Sequence, residues 1–156
     1  MRTRWLLVAL VALTGCAAAV PAPDPTTVLT GAWQDDYGIQ YEITDSTWRQ
    51  LPSATYLVEQ WEGPGQWLVA RNAPGNPSDS GRYTRIDWVM LDSMPPWRWA
   101  FCLAIWDAPT AESARQAPAS DRANPRTGCG GHPFSRMRPP APDSAGGVPT
   151  AAGRYP

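Results

Sequence analysis

Tyr37-Gly38-Ile39-Gln40-Tyr41-Glu42-Ile43 puts Tyr37, Ile39, Tyr41 and Ile43 on one face of an extended chain, with Gln40 and Glu42 on the other. Side chains alternate with period two along a strand, so this stretch reads as a half-buried β-strand. Working toward the C-terminus, Asp45-Ser46 makes a tight turn into Thr47-Trp48-Arg49-Gln50, which Pro52-Ser53 ends. Thr55 to Glu62, with Tyr56, Leu57, Val58 and Trp61, is the next strand. Gly63-Pro64-Gly65 cannot continue it and returns the chain through Gln66-Trp67-Leu68-Val69-Ala70-Arg71 as a hairpin. A Pro/Gly/Asn/Ser loop leads to a longer strand from Gly81 to Leu91. Trp97 to Trp106 is the most apolar segment. Trp97, Trp99, Phe101, Leu103 and Ile105 share one face and Ala100, Cys102 and Ala104 the other, which predicts a central strand covered on both sides.

Working outward to the ends, the first strand is expected at Gly31-Ala32-Trp33. Pro109 to Arg115 reads as one short helix, with proline near its start and an acid in its first turn. Ser120 to Gly131 is an irregular polar segment that carries Cys129 back to the sheet. After Met137 the chain is mostly Pro, Ala and Gly and buries too little to offset ordering entropy. Short strands joined by turns predict an all-β domain, a small antiparallel β-barrel or sandwich with one short helix near its C-terminal end. The expected organisation is a leader at 1–15, a flexible tether at 16–30, the β domain at 31–137 and a disordered tail at 138–156.

The 156 residues leave room for one domain with a hydrophobic core. The net charge is −1 and all 13 cationic side chains are arginine, with no clustered basic face, so nucleic acid is not an expected partner. Nine tryptophans are a heavy load, and all but Trp5 fall between Trp33 and Trp106. They occupy both faces of the expected strands, so not all can be core. Trp61, Trp67 and Trp97 are the candidate ligand or partner contacts, through stacking on a glycan, a small hydrophobic ligand or an envelope protein.

At the N-terminus, Arg2 and Arg4 precede an apolar run from Trp5 to Leu13, then Leu13-Thr14-Gly15-Cys16. The run is too short to span a bilayer and has the order of a secretory signal. It resembles a bacterial lipoprotein signal peptide with its lipobox. The resemblance implies cleavage before Cys16, lipidation of Cys16 with acyl chains such as palmitate, and anchoring in the cell envelope, at the outer membrane, with the bilayer as partner. Processing would remove two arginines and leave a net charge of about −3. With Cys16 acylated, two of the three cysteines remain in an oxidising compartment, and one disulfide, Cys102–Cys129, is expected. Closing that loop would contribute on the order of 3 kcal/mol. The triplet Gly31-Ala32-Trp33 is similar to the Gly-x-Trp that opens the first strand of lipocalin-like (calycin) barrels. That resemblance implies that Trp33 packs across the closed end of a barrel.

Catalytic signals are few. Cys129-Gly130-Gly131-His132 could pair a thiol with an imidazole, or join Cys102 in a zinc site. It fits better as a disulfide, a glycine turn and an exposed histidine. His132 is the only histidine, and no Gly-x-Ser-x-Gly elbow is present. Asp35, Asp36, Asp45, Asp87, Asp92 and Asp107 fall mostly at expected strand ends, where acids are commonly turn residues. No catalytic residue, metal or cofactor is therefore assigned. The expectation is a non-catalytic, membrane-anchored envelope lipoprotein whose β domain binds a ligand or partner. The alternatives are a hydrolase using His132 with an acid or Cys129, and a structural or adhesive module.

Overall fold

A computed structural model describes residues 24–142. Residues 1–23, which include the expected leader and Cys16, and residues 143–156 of the expected tail lie outside the described residues. The rest is a closed antiparallel barrel of eight strands, each paired with the next and the last with the first. They are β1 (Gly31–Asp35), β2 (Gln40–Ile43), β3 (Thr47–Leu51), β4 (Ala54–Glu62), β5 (Trp67–Asn72), β6 (Tyr83–Met90), β7 (Trp99–Ala108) and β8 (Ser135–Arg138). A short helix, α2 (Ala111–Arg115), follows β7 as expected. Of the two architectures expected, the structure is the barrel.

Several details differ from the sequence reading. A five-residue helix, α1 (Pro25–Leu29), precedes β1 inside the segment read as tether. Asp24 caps it by accepting from the Thr26 N–H, and Pro25 occupies the first helical position. Leu29 is fully buried at one end of the barrel, and the Trp33 indole N–H donates to its carbonyl at 2.8 Å. An eighth strand, β8, was not anticipated, and its last residue, Arg138, falls in the segment read as tail. Tyr37, placed on the buried face with Ile39 and Tyr41, is 70% exposed. The strand starts only at Gln40, and Gly38, at φ 87°, makes the turn before it.

The side of β7 changes partway along. The β6 register jumps between Ile86↔Leu103 and Arg85↔Ile105, leaving Ala104 as an extra residue. Leu103 packs with the barrel interior, whereas Ile105 packs outside with Val69, Ala108 and Ala114. The single shared face read from the alternation is therefore broken at Ala104.

The interior is filled with apolar side chains, among them Tyr41, Ile43, Trp48, Leu68, Ile86, Trp88, Trp99, Phe101 and Met137. The rings meet edge to face. Trp99 lies 5.3 Å from Trp33 and 5.7 Å from Trp48, and Trp48 lies 5.2 Å from Phe101. This geometry favours aromatic pairs by about 0.5–1.5 kcal/mol each beyond their buried area.

Outside the barrel, the excursion from β7 to β8 covers β5, β6 and β7. Ala114 of α2 packs on Val69, and Phe134 packs on Ala100 and Cys102. The disulfide Cys102–Cys129 joins the excursion to β7, with Cα atoms 5.6 Å apart. A buried ion pair adds a second fastening. Arg85 Nε donates to Asp87 Oδ1 at 2.7 Å, Ser120 N–H donates to Asp87 Oδ2 at 2.6 Å, and Arg85 Nη1 donates to the carbonyls of Arg115 and Ala117.

Candidate functional site

The strands leave one end of the barrel sealed and the other open. At the sealed end α1, Trp33, Trp48 and Trp99 fill the lumen. Trp61 joins them, edge to face with Trp88 at 5.8 Å and donating its indole N–H to the Asp45 carbonyl at 2.7 Å. At the open end lies a cleft of ≈ 760 Å³ with Tyr41, Phe101 and Leu103 in its floor and Tyr37 and Trp106 at its rim. Its size falls in the range of ligand pockets. A recess of ≈ 210 Å³ on Tyr56 and Asn72 adjoins it and shares Leu103 and Trp106.

The cleft exists because two strands stop short. β8 pairs with β7 only at Trp99, Ala100 and Phe101, while β7 runs on to Ala108. β1 ends at Asp35, level with Met137. From Cys102 onward the wall is therefore missing beside β7, and the cleft reaches from Leu103 on the inside to Ala104 and Cys129 on the outside.

Asp35 fixes the opposite lip. It is 2% exposed; Oδ1 accepts from the N–H groups of Tyr37 and Ile39, and Oδ2 accepts from the Tyr41 hydroxyl at 2.9 Å. Burial first, and then the Asp35 charge, push the Tyr41 hydroxyl far above the ordinary tyrosine range, so it stays a donor. Burial, aided by Asp79, also raises the Tyr56 hydroxyl. Next to this lip Arg136 donates from Nε to Asp36 Oδ2 at 2.9 Å and ties the β1–β2 turn to β8. Among the described residues, Asp35 is the only carboxylate lining the cleft, and His132 lines it but no arginine does. An anionic ligand would meet only that imidazole.

The three candidate tryptophans are not brought together. Trp61 belongs to the sealed end. Trp67 faces outward beside α2, with the Arg85 guanidinium 4.9 Å over its ring. Trp97 sits in the β6–β7 connection under Arg136 and Arg138, at 4.9 and 5.4 Å. Among the described residues, the exposed aromatics are instead Tyr37 and Trp106, at 70% and 55%. The exposure of Trp106 follows the shift at Ala104, which an alternating sequence pattern does not reveal.

Cys129 and His132 form the ends of a two-residue turn in which Gly130 and Gly131 take φ of 59° and 90°. Cys129 N–H donates to the His132 carbonyl and His132 N–H to the Cys129 carbonyl, at 3.0 and 2.9 Å. Positive φ at both central residues is why two glycines stand there. With both sulfurs in the disulfide, Cys129 offers no thiolate and the cysteines no zinc ligands. His132 is exposed, and among the described residues no carboxylate hydrogen-bonds to its ring. Asp87 lies mid-strand, as the strand expected from Gly81 to Leu91 places it, and is completely buried in its ion pair. No family model, curated protein or solved structure matches the chain.

Proposed function

We propose that the chain is a lipid-anchored envelope protein of the outer membrane whose barrel binds a ligand or partner at its open end without catalysis. The observation that carries the binding reading is the contrast within one barrel: a packed lumen at one end and, at the other, a cleft rimmed by exposed Tyr37 and Trp106. The anchor rests on Leu13-Thr14-Gly15-Cys16. The calycin likeness is supported by Trp33, which lies at the sealed end against Trp99 and the Leu29 carbonyl. Against the hydrolase alternative stand the bonded Cys129 and a His132 that lines the cleft but, among the described residues, has no carboxylate hydrogen-bonded to its ring.

Two measurements test this reading. Cys16→Ala should move the protein from the detergent phase to the aqueous phase; continued partitioning with membranes would mean another anchor. The neutral dye N-phenyl-1-naphthylamine should brighten on the purified protein and lose most of that signal in Trp106→Ala. Equal signals from the two proteins would remove the cleft as the binding site.

A further inference from the structure

We infer that the cleft receives an extended polypeptide segment, neutral or basic, which pairs with β7 in the strand lane that β8 leaves empty. This deepens the binding reading above and rests on it.

The lane is defined by the ladder itself. β8 occupies it beside Trp99, Ala100 and Phe101 and begins at Ser135. One residue earlier the chain has left the lane: Phe134 is buried against Ala100 and Cys102 outside the barrel, and its N–H donates to the Pro125 carbonyl at 2.8 Å. The stretch of β7 beyond Phe101 is thus an edge. Leu91 N–H donates to the Arg98 carbonyl, and Asp87 stands opposite Cys102. Antiparallel alternation then turns the backbone of Cys102 toward β6 and that of Leu103 into the lane. Among the described residues, no backbone hydrogen bond joins residues 102–107 to residues 118–134. Unpaired main-chain groups along a strand edge are a template for an added strand, with side-chain pockets setting specificity.

The surroundings fit a peptide better than a lipid. A segment running in the direction of β8 would continue the antiparallel ladder already present. Its inward side chains would meet Ile39, Tyr41 and Leu103, and its outward ones Ala104, Ser120 and Cys129. The edge is short: the Trp106 carbonyl already accepts from Asn72 Nδ2 and Thr84 Oγ1, so the free edge is 102–105, centred on Leu103, or about 13 Å of extended chain. Among the described residues Asp35 is the only carboxylate in the lining and no arginine accompanies it, so a fatty-acid carboxylate or a lipid phosphate would meet only the His132 imidazole beside the buried Asp35 charge. The open faces of Tyr37 and Trp106 suit a cationic side chain at the rim.

The test uses the full processed chain. Short random peptides displayed on phage are selected on it, and enriched sequences are synthesised in normal form and with alternate backbone amides N-methylated. Removing main-chain donors from the paired side should weaken binding by about tenfold or more. Ala104→Arg, which crowds the lane and adds a like charge, should weaken binding of the normal peptide comparably, with an unchanged circular dichroism spectrum. Peptides whose affinity ignores N-methylation would overturn strand pairing, whatever Ala104→Arg does to the fold. No enriched peptide, with N-phenyl-1-naphthylamine still binding, would overturn the peptide inference and leave a cleft for small neutral ligands. Neither peptide nor dye binding would overturn the cleft reading as well.

Discussion

At the end where α1 enters, Trp33, Trp48, Trp61, Trp88 and Trp99 lie ring against ring inside the barrel; at the other end Tyr37 and Trp106 stand open to solvent over a cleft. Both ends use the same class of side chain. The difference lies in the backbone around them. One end has a helix to cap it and strands on every side, and the other has two strands that stop early. Aromatic content alone would have suggested binding at either end. Which strands continue decides where it is available.

The sharpest way to break that contrast is to remove one indole from each end. Trp99→Ala should destabilise by about 3–5 kcal/mol, as for large core truncations, and Trp106→Ala by less than about 0.5 kcal/mol. Chemical denaturation of both variants checks this, and similar losses would erase the distinction. The next largest effect separates the covered outer face from the bare one. Arg85→Ala leaves the buried Asp87 with only the more distant Arg122 guanidinium, 4.0 Å away, and should cost about 3 kcal/mol or more. Arg49→Ala, from a pair with Glu42 in which both side chains are about half exposed, should cost less than about 1 kcal/mol. Equal midpoints for these two variants would mean that the Arg85–Asp87 fastening is not holding the excursion.

Replacing Cys102 and Cys129 together with serine should cost on the order of 2–3 kcal/mol. It should also increase amide exchange in residues 117–134 before the sealed end is affected; uniform exchange across the barrel would contradict a local role. The smallest effect concerns alkaline pH. The Tyr41 hydroxyl has a raised pKa in the folded protein, so the folded state holds its proton more tightly than the unfolded chain does. Its contribution is complete below the unfolded value of about 10 and is lost as pH rises beyond that, by at most about 1.4 kcal/mol per pH unit. Tyr41→Phe should flatten the fall in thermal midpoint above that pH. An unchanged slope would show that Tyr41 ionisation is not what limits the open end.

Much of the barrel was legible from alternation and turn chemistry. Tyr41 and Ile43 are both buried on one face of β2, and Gly63-Pro64-Gly65 does turn β4 into β5. The Gly130-Gly131 turn and the cysteine pair were also readable, because glycine at positive φ and an even cysteine count leave local marks. α1 and β8 were not. Each has five or fewer residues, and each is held by contacts rather than by its own propensity: α1 through Leu29, and β8 through β7 and β1 on its two sides. Ser135-Arg136-Met137-Arg138 has one buried apolar residue and therefore no period to detect. The cleft stayed hidden for the same reason. It is defined by the shift at Ala104 and by where neighbouring strands end, and both are properties of pairing.

The seam between β1 and β8 has a consequence for the order of assembly. The other strand contacts join neighbours in sequence, but Arg138 reaches Gln34 across 104 residues. Contacts this remote form slowly, because the loop must close before any pairing rewards it. Cys102 and Cys129 are only 27 residues apart, and Ser135 lies six residues beyond Cys129. Once the two sulfurs are joined, β8 starts from a point already fixed on β7, and a search over the whole chain becomes a short one. An oxidised chain should therefore close its barrel sooner than a reduced one, and spend less time with the full length of the β7 edge exposed to other unfolded chains.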